Sequence, residues 1–444
     1  MSAREKIKAP RGTFDVLGEQ AQARAALEAH ARAILEGAGY ERIETPTFEA
    51  TELFARGVGE STDIVSKEMF TFTDAGGRSL TLRPEGTAPV CRAYIEHGMH
   101  KRRQPVKLWY LSSFFRHERA QAGRYRQFWQ VGAEALGSDD PAVDAELIVL
   151  LAALLREVGV RETRLRVSTL GTPERRSEYR ELLAAHLREH EASLSPDVRA
   201  RISSNPLRAF DSEHEGTRSV MAGAPLLIDH LDADDLEHFA AVRELLEEAG
   251  VSFTVDPTLV RGLDYYTRTV FEFTSAALGA QSGVAGGGRY DRLVEQLGGQ
   301  PTPGTGFAAG IERMLLARAG ASGDLEAGAA PSAAIGTVPG ERPLELFVVR
   351  ADAGKDAREL RRVAFALLGD ARSAGLIAQM ELAGRSVKGA LGQADALGAR
   401  FVAIVEGDRS ALRDMQDGGQ QEIPTDTVAH TVLARLRALQ EKFA

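Results

Sequence analysis

The chain contains a single cysteine, Cys91, and none of its apolar runs reaches the length that a membrane-spanning helix requires. One cysteine cannot form a disulfide within the chain, so a disulfide-stabilised secreted domain is excluded. No apolar stretch resembles the core of a secretory signal either. We therefore expect a cytoplasmic protein that makes no membrane contact.

Positive charge is also in deficit, because 54 Lys and Arg residues face 63 Asp and Glu residues and leave a formal net charge of -9. Such a balance excludes a protein that coats nucleic acid through bulk charge, but it permits RNA binding through local basic patches. The 444 residues, 43% hydrophobic and 26% charged, suffice for two or three globular domains with substantial cores.

Aromatic and cationic side chains alternate in residues 108–134, LWYLSSFFRHERAQAGRYRQFWQVGAE. The aromatic ends of this run suit two pleated strands, and its polar middle suits the connection of a hairpin. Guanidinium groups at a strand end offer forked donors to phosphate oxygens, and nearby aromatic faces can stack on a purine. The run predicts a nucleotide site, with a solvated basic hairpin as the alternative when it is considered alone.

Two further segments have the composition of ligand-binding turns. RPEGT follows a predicted strand, so Glu85 and Thr87 come at the strand end, and Gly86 allows close approach of a ligand. Thr87 is alternatively the cap of the helix that follows. In GVAGGGRYDRL, the glycines before Arg289 permit close approach of a ligand or a neighbouring strand, but they lack Walker or Rossmann spacing.

Periodicity and composition predict the order of the domains. Residues 1–320 mix strands and helices, and we interpret the mostly helical, charged part at about 171–235 as an inserted module, with simple scaffold as its alternative role. Residues 321–342 are rich in Ala, Gly, Ser and Pro, as in a flexible linker. Residues 343–444 alternate strands and helices, which predicts a small α/β domain with a mostly parallel sheet.

Seven segments occur in the order seen in the histidyl-tRNA synthetase family of class II aminoacyl-tRNA synthetases. They are PRGTFDVL, an edge strand with Pro46, RPEGT, the FRHER and GRYRQF hairpin, LVRGLDYY, GGGRYDRL and GFAAGIER. The chain therefore resembles that family over essentially its whole length. LVRGLDYY carries the most specific likeness, because it resembles a histidine signature that other class II synthetases do not share.

The resemblance implies a fold, a reaction and partners. The implied fold is α+β: a class II catalytic domain with an antiparallel sheet flanked by helices, a helical insertion, and a C-terminal α/β anticodon-binding domain. The implied reaction activates L-histidine with ATP to histidyl-adenylate and transfers it to the 3′ end of tRNA(His), releasing AMP and diphosphate. Mg²⁺ would accompany the diphosphate, and the chain would act as a homodimer.

The resemblance also assigns roles to individual residues. It implies histidine binding by Glu85, Thr87, Gln130, Glu134, Arg261, Tyr265, Tyr266 and Tyr290. It implies ATP binding by Arg116, Glu118 and Arg313, catalysis by Arg261 and Arg116, and tRNA binding by Arg119, Gln121, Arg124 and Lys388. No metal ligand is assigned to the chain itself.

Elementary chemistry supports these roles. A neutral imidazole has one donor and one acceptor nitrogen, which a carboxylate at Glu134 and a phenol can satisfy together. Attack on phosphorus spreads charge over oxygens, so fixed cations and in-line placement suffice without a protein nucleophile. This chemistry explains why arginines, and no serine–histidine pair, dominate the motifs.

The sequence departs from the family in three places. SSFF precedes Arg116 where the family often has a proline, Arg292 stands where glycine is usual, and GRSVKGALGQAD contains only one lysine. The departures touch no implied catalytic side chain, but the last one bears on anticodon contact.

Two other classes of protein compete with a ligase. The regulatory subunit of ATP phosphoribosyltransferase resembles the catalytic domain and senses histidine, but it usually lacks the C-terminal domain and often has altered arginines, all of which this chain keeps. A structural protein that used the fold only to bind a partner would not need Arg116, Glu118 and Arg313 together.

Overall fold

The computed structural model describes residues 7–59, 62, 64–118, 123–259, 263–279, 282–320, 344–351, 357–381 and 385–443. The chain divides into two compact units, Met1–Gly336 and Thr337–Ala444. Each unit buries hydrophobic clusters of its own. The linker predicted at 321–342 lies outside the described residues, so the domain limits derived from the sequence stay predictions.

The first unit contains eleven strands among its described residues. In chain order they are β1 (Glu41–Arg42), β2 (Phe48–Ala50), β3 (Phe70–Thr73), β4 (Ser79–Leu82), β5 (Val106–Phe115), β6 (Gln127–Leu136), β7 (Thr163–Thr169), β8 (Thr254–Val255), β9 (Thr267–Ser275), β10 (Gly283–Arg289) and β11 (Gly304–Gly310). Eight of them form one sheet in the order β1-β5-β6-β11-β10-β9-β7-β8, and β2-β4-β3 form a small second sheet.

The large sheet is antiparallel from β5 to β7, and only its two-residue edge strands β1 and β8 pair in parallel. This pairing confirms the predicted α+β fold. The proline at Pro46 lies between β1 and β2, where no ladder hydrogen bond from its nitrogen is needed.

Helices flank the large sheet. Those of the first unit are α1 (Glu19–Gly37), α2 (Thr51–Val58), α3 (Thr87–Glu96), α4 (Pro141–Val158), α5 (Pro173–Glu189), α6 (Pro196–Arg201), α7 (Glu215–Met221), α8 (Ala233–Glu248), α9 (Leu293–Gln296) and α10 (Ile311–Ala319). Shorter turns are the π-helix Ile64–Glu68 and the 3₁₀ helices Met99–Lys101, Glu191–Ser193, Pro206–Asp211, Leu227–His230 and Ala276–Leu278. The segment 171–235 is mostly helical, as predicted.

Local sequence explains where these helices begin and end. The side chain of Asp140 accepts a hydrogen bond from the backbone of Ala142, and Pro141 occupies the first turn of α4, where its missing N–H costs nothing. Gly159 ends the same helix at φ 79°, a left-handed conformation that suits glycine. No helix in these described ranges is long and apolar enough to cross a bilayer.

The second unit is a five-stranded sheet with helices. Its elements are β12 (Leu346–Arg350), α11 (Ala357–Ser373), β13 (Ala378–Met380), α12 (Val387–Ala396), β14 (Phe401–Val405), β15 (Arg409–Asp414), β16 (Gln420–Pro424), a 3₁₀ turn (Thr425–Thr427) and α13 (Val428–Phe443). The strand order is β13-β12-β14-β15-β16.

The prediction of a mostly parallel sheet in this unit is wrong for its last two strands. Strands β13, β12 and β14 are parallel, whereas β14, β15 and β16 pair antiparallel. The connections 406–408 and 415–419 are too short for a crossover helix, so each strand must turn back on the preceding one.

Candidate active site

The hairpin of β5 and β6 forms the floor of the candidate site. Its register pairs Phe114 with Phe128 and Ser112 with Gln130. Because strand side chains alternate between faces, the even-numbered residues of both strands share one face, and Trp109 lies on the other face against the core under α1 and α4. The two predicted strands are confirmed, whereas residues 119–122 of the connection lie outside the described residues. The even-numbered face holds the predicted residues Gln130 and Glu134.

Glu134 lies at the centre of a buried hydrogen-bond cluster on this face. The side chain is 0% exposed. Its Oε2 accepts from the Tyr290 hydroxyl at 2.6 Å, and its Oε1 accepts from Thr87 Oγ1 at 2.8 Å and from the Tyr110 hydroxyl at 3.3 Å. Residues that are far apart in the sequence therefore converge on one carboxyl group.

Glycines make room for this cluster. A Cβ atom on Gly306 would lie 1.7 Å from Oε2 of Glu134, and one on Gly132 would lie 2.3 Å from the ring of Tyr110. The positions below the carboxyl and phenol groups therefore exclude any larger side chain.

Burial changes the protonation of the cluster. Loss of water raises the pKa of Glu134 to about 8, although hydrogen bonds from Tyr290 and Thr87 oppose this change. Burial likewise raises the pKa values of Tyr110, Tyr265 and Tyr290 well above that of a free phenol. The phenols therefore stay neutral donors, while Glu134 exchanges its proton close to neutral pH.

Glu85 supplies a second buried carboxyl group. It accepts hydrogen bonds from the backbone N–H groups of Thr87 at 2.8 Å and Ala88 at 2.9 Å, and from the Tyr265 hydroxyl at 3.4 Å. Thr87 is the first residue of α3 and not its cap. The side chain of Glu85 instead accepts from the first N–H groups of the helix, which have no partner within the helix. Burial raises the pKa of Glu85, and the two backbone donors offset part of that increase.

Three tyrosines close the wall beside the carboxyl groups. The ring centroids of Tyr265 and Tyr266 are 4.8 Å apart, and those of Tyr265 and Tyr290 are 5.9 Å apart in an edge-on arrangement. All three side chains are at most 6% exposed. The structure thus brings Glu85, Thr87, Glu134 and the three predicted tyrosines together.

A buried ion pair lies behind Tyr290. The neighbouring Arg289 is 0% exposed, and its guanidinium lies 3.0 Å from Asp144 and 3.2 Å from Asp291. The attraction within this group raises the pKa of Arg289 against the effect of burial. Arg289 therefore anchors the end of β10, from which Tyr290 projects.

A cavity of about 610 Å³ opens beside the cluster. The predicted residues on its wall are Arg116, Glu118, Arg124, Gln130 and Arg313. The Oε1 atom of Gln130 is buried and has no hydrogen-bond partner among the described residues. An acceptor left without a partner is costly, so this atom is suited to meet a donor group on a ligand.

The cavity arginines are held by backbone oxygens. Arg116 donates to the carbonyl of Pro84 at 3.0 Å and lies 5.4 Å from the ring centre of Phe128. Arg313 donates to the carbonyl of Gly283, and to that of Gly123 at 3.2 Å. Burial and the nearby positive charge of Arg124 lower the pKa of Arg313.

Glu118 lies between two of these cations, 3.5 Å from Arg124 and 3.9 Å from Arg116. Carboxylate and guanidinium groups therefore alternate along this wall. Such a wall can bind both phosphate oxygens and the amino edge of a base.

The remaining predicted residues are not in this group. Arg119, Gln121 and Arg261 lie outside the described residues. Lys388 is exposed in the first turn of α12, in the second unit. The departure at Arg292 is a surface position, where the side chain pairs with Glu174 at 2.9 Å.

Several residues of the cavity and the cluster were not predicted from the sequence. Tyr110 could have been found, because it follows the two-residue period that leads to Ser112. Arg208 and Asp211 reach the cavity from a 3₁₀ turn of the helical segment, and Glu272 reaches it from β9. Nothing in the local sequence around these three residues signals that position.

The described part of the chain offers no group of three His, Cys, Asp or Glu side chains that could hold a metal ion. Four cavity-lining carboxyl side chains, those of Glu118, Asp211, Glu272 and Glu312, lie on the wall with the arginines. Mg²⁺ usually takes only one or two protein carboxylates when substrate phosphates supply the other oxygens. The donor set therefore fits an ion that arrives with a nucleotide.

Comparison with known proteins gives a consistent result. A family model described as histidyl-tRNA synthetase matches residues 12–314. The histidine–tRNA ligase of Halorhodospira halophila is 47% identical over 428 residues, which cover 95% of this chain and 96% of that protein. The crystal structure of apo S. aureus histidyl-tRNA synthetase is 34% identical, with a TM-score of 0.76 and coverage of 96% of this chain and 100% of its own.

A more distant structure shares the fold. It is described as an ATP phosphoribosyltransferase regulatory subunit/histidyl-tRNA synthetase from Bacillus halodurans C, and it matches with a TM-score of 0.61 at 23% identity. The match covers 90% of this chain and 98% of that one. At this identity the likeness concerns the fold alone.

Proposed function

Because this chain belongs to the histidyl-tRNA synthetase family, we propose that its buried carboxyl cluster binds histidine and its arginine-lined cavity binds ATP. The chain is an aminoacyl-tRNA ligase that joins histidine to tRNA at the expense of ATP. The observation that carries this function is similarity over nearly the full length to proteins named as histidine–tRNA ligases. A histidine-sensing regulatory subunit has less support, because the structure described partly in those terms is similar to this chain only in fold.

Histidine recognition rests on pairing every polar atom of the substrate. Glu134 and Tyr290, 2.6 Å apart, are the proposed partners of the imidazole nitrogens, with Tyr266 beside them. Glu85, Thr87 and Gln130 are the proposed partners of the α-ammonium group. An amino acid without an imidazole could bind through its α-ammonium group, but it would not pair with Glu134 and Tyr290, and this loss of hydrogen bonds disfavours it.

ATP binding is assigned to the cavity. Arg116 is proposed to contact the α-phosphate, Arg313 the γ-phosphate, and Glu118 the adenine edge. The support is that all three line one cavity and that backbone carbonyls hold both guanidinium groups in place. Preorganised cations of this kind stabilise phosphoryl charge without any cost of reorganisation.

The first step joins a carboxylate oxygen of histidine to the α-phosphorus of ATP, and the bond from that phosphorus to the diphosphate oxygen breaks. Diphosphate leaves, and histidyl-adenylate remains. We propose that Arg116 and Arg261 neutralise the oxygens on phosphorus during this attack. In the second step a ribose hydroxyl at the 3′ end of tRNA(His) attacks the carbonyl carbon, and AMP leaves.

Mg²⁺ is proposed to bind with the nucleotide. When bound, the ion would neutralise phosphate charge during displacement. Asp211 and Glu272, which line the cavity and have no proposed adenine role, are the carboxylates that would hold it. Arg116 and Arg313 keep their positions through contacts with the backbone and not through the ion.

The tRNA contacts are proposed in two places. Arg124, which lines the cavity, and Arg119 and Gln121, which precede it in the sequence, would meet the acceptor end. Lys388 belongs to the second unit, which we propose as the anticodon-binding domain after a linker at 321–342. Residues 1–320 would form the catalytic domain, with 171–235 as its insertion.

A homodimer is proposed through the small sheet. Phe48 and Phe72 are 51% and 43% exposed, and their rings lie 6.1 Å apart. Two large aromatic side chains beside the edge strand of a sheet are a typical surface for self-association. A cytoplasmic location is also proposed, because the reaction consumes ATP and tRNA.

Histidine-dependent exchange between ATP and labelled diphosphate, followed by charging of tRNA(His), tests the proposal. We expect exchange with histidine and none with the other amino acids. Histidine binding without exchange would contradict the ligase assignment and favour a sensor of histidine instead.

A further inference from the structure

A side chain of the helical segment holds the loop that carries the tyrosines. Arg176, on α5, donates one guanidinium nitrogen to the backbone carbonyl of Tyr266 and another to that of Asp264 at 3.0 Å. These two carbonyls flank Tyr265. The planar guanidinium therefore spans the part of the backbone from which both Tyr265 and Tyr266 project.

The end of the same segment makes a second contact with this loop. Asp235 accepts from Arg268 Nε at 3.0 Å and from the backbone N–H of Thr172 at 3.0 Å. Arg268 has a backbone φ of 44°, which is unfavourable for residues other than glycine. Its backbone N–H donates to the carbonyl of Gly171 at 2.8 Å. The two ends of the segment 171–235 thus contact Arg268, two residues after Tyr266: Gly171 binds its backbone and Asp235 binds its side chain.

These contacts are partly buried. Burial lowers the pKa of Arg176, and the negative charge of Asp264 opposes that effect. A charged donor that is partly shielded from water forms stronger hydrogen bonds than an exposed one, and its removal leaves two carbonyls with poorer partners.

We propose that Arg176 is a positioning residue for histidine binding, through its two hydrogen bonds to the carbonyls of Asp264 and Tyr266. The inference rests on the proposed role of Tyr265 and Tyr266 in the histidine site. Arg176 contacts no substrate itself. The helical segment is then more than scaffold, because it sets where these phenol rings stand relative to Tyr290 and Glu85.

The test compares Arg176→Met, Arg176→Lys and Arg180→Met in the full chain by histidine-dependent exchange. Arg180 is the matched control, because it lies one turn further along α5 and donates to Ser204 within the helical segment. We expect Arg176→Met to raise KM for histidine about tenfold and to change KM for ATP less than about twofold. The lysine variant should recover part of this loss, and the control should match the parent protein.

The outcomes separate this inference from the proposed function. If Glu134→Gln raises KM for histidine and Arg176→Met does not, the positioning role is refuted while the histidine site stands. If neither variant changes KM for histidine, the histidine site itself is refuted. If Arg176→Met does not fold, Arg176→Lys decides: a rise in KM for histidine alone supports the role, and an equal rise for both substrates overturns it.

Discussion

Glu134→Gln is the sharpest test of the histidine site, because the change keeps the size of the side chain and replaces a carboxyl group that can ionise by an amide that cannot. In the structure the carboxyl group accepts hydrogen bonds from Tyr290 at 2.6 Å, Thr87 at 2.8 Å and Tyr110 at 3.3 Å. An amide has only one accepting atom, so it cannot serve these donors and an imidazole N–H together.

The magnitude follows from the cost of a buried donor that loses its acceptor, about 1–3 kcal/mol. Converted to affinity, this range predicts a rise of about 5- to 150-fold in KM for histidine. KM for ATP should change little, because the hydrogen bonds described for Arg116 and Arg313 go to backbone carbonyls and not to Glu134.

The pH dependence gives a second signature. With a pKa of about 8, Glu134 in the free protein is mostly protonated at pH 7. The carboxylate is the better acceptor for an imidazole N–H, so kcat/KM for histidine should rise as pH increases toward 8 and then level off. Glu134→Gln should lack this rise. Because the ionisation of free histidine affects both proteins equally, the ratio of their kcat/KM values at each pH isolates the contribution of Glu134.

Ionisation of the Glu134 carboxyl group should lower the stability of the fold, although it favours histidine binding. Its pKa is raised from 4.5 to about 8, so the folded state holds a proton that the unfolded state releases between these pH values. Its contribution to stability is complete below pH 4.5 and is lost as pH rises through 8. The slope is at most about 1.4 kcal/mol per pH unit, and Glu134→Gln should flatten it in denaturant titrations.

The assay is exchange kinetics with each substrate varied separately, together with thermal unfolding of every variant. Glu345→Gln is the control, because Glu345 is a buried glutamate, 6% exposed, in the second unit. An unchanged KM for histidine in Glu134→Gln would refute the role of this residue. Equal changes in both KM values would indicate a general loss of structure.

Three further outcomes follow from the proposed site. Arg261→Ala should slow adenylation by about a hundredfold to a thousandfold, with partial recovery in Arg261→Lys, whereas transfer from preformed adenylate, followed in single-turnover experiments, should change less. A chain of residues 1–320 should retain exchange but lose tRNA charging, and unchanged charging would disprove the anticodon role of the second unit. Phe48→Asp should give monomers in sedimentation experiments if the small sheet forms the dimer; a dimer of unchanged stability would exclude that surface.

Much of the local structure could be predicted from the sequence. The hairpin of β5 and β6 was predicted because alternating aromatic residues have the period of a strand and the polar connection has the composition of a turn. The last strands, β15 and β16, were missed because neither alternates clearly: β15 buries three consecutive residues, Ser410 to Leu412, and the burial of β16 is limited to Ile423. A strand that is mostly exposed carries little hydrophobic signal.

The sequence by itself determined the family motifs, the order of elements and most residues of the candidate site, since these depend on neighbours along the chain. Only the tertiary structure decided that Thr87 and Tyr290 share the carboxyl group of Glu134 and that its pKa is raised to about 8. The same holds for Arg176, whose acceptor at Asp264 lies 88 positions away. Desolvation and hydrogen-bond geometry depend on which distant segments meet in space, and no local period records that information.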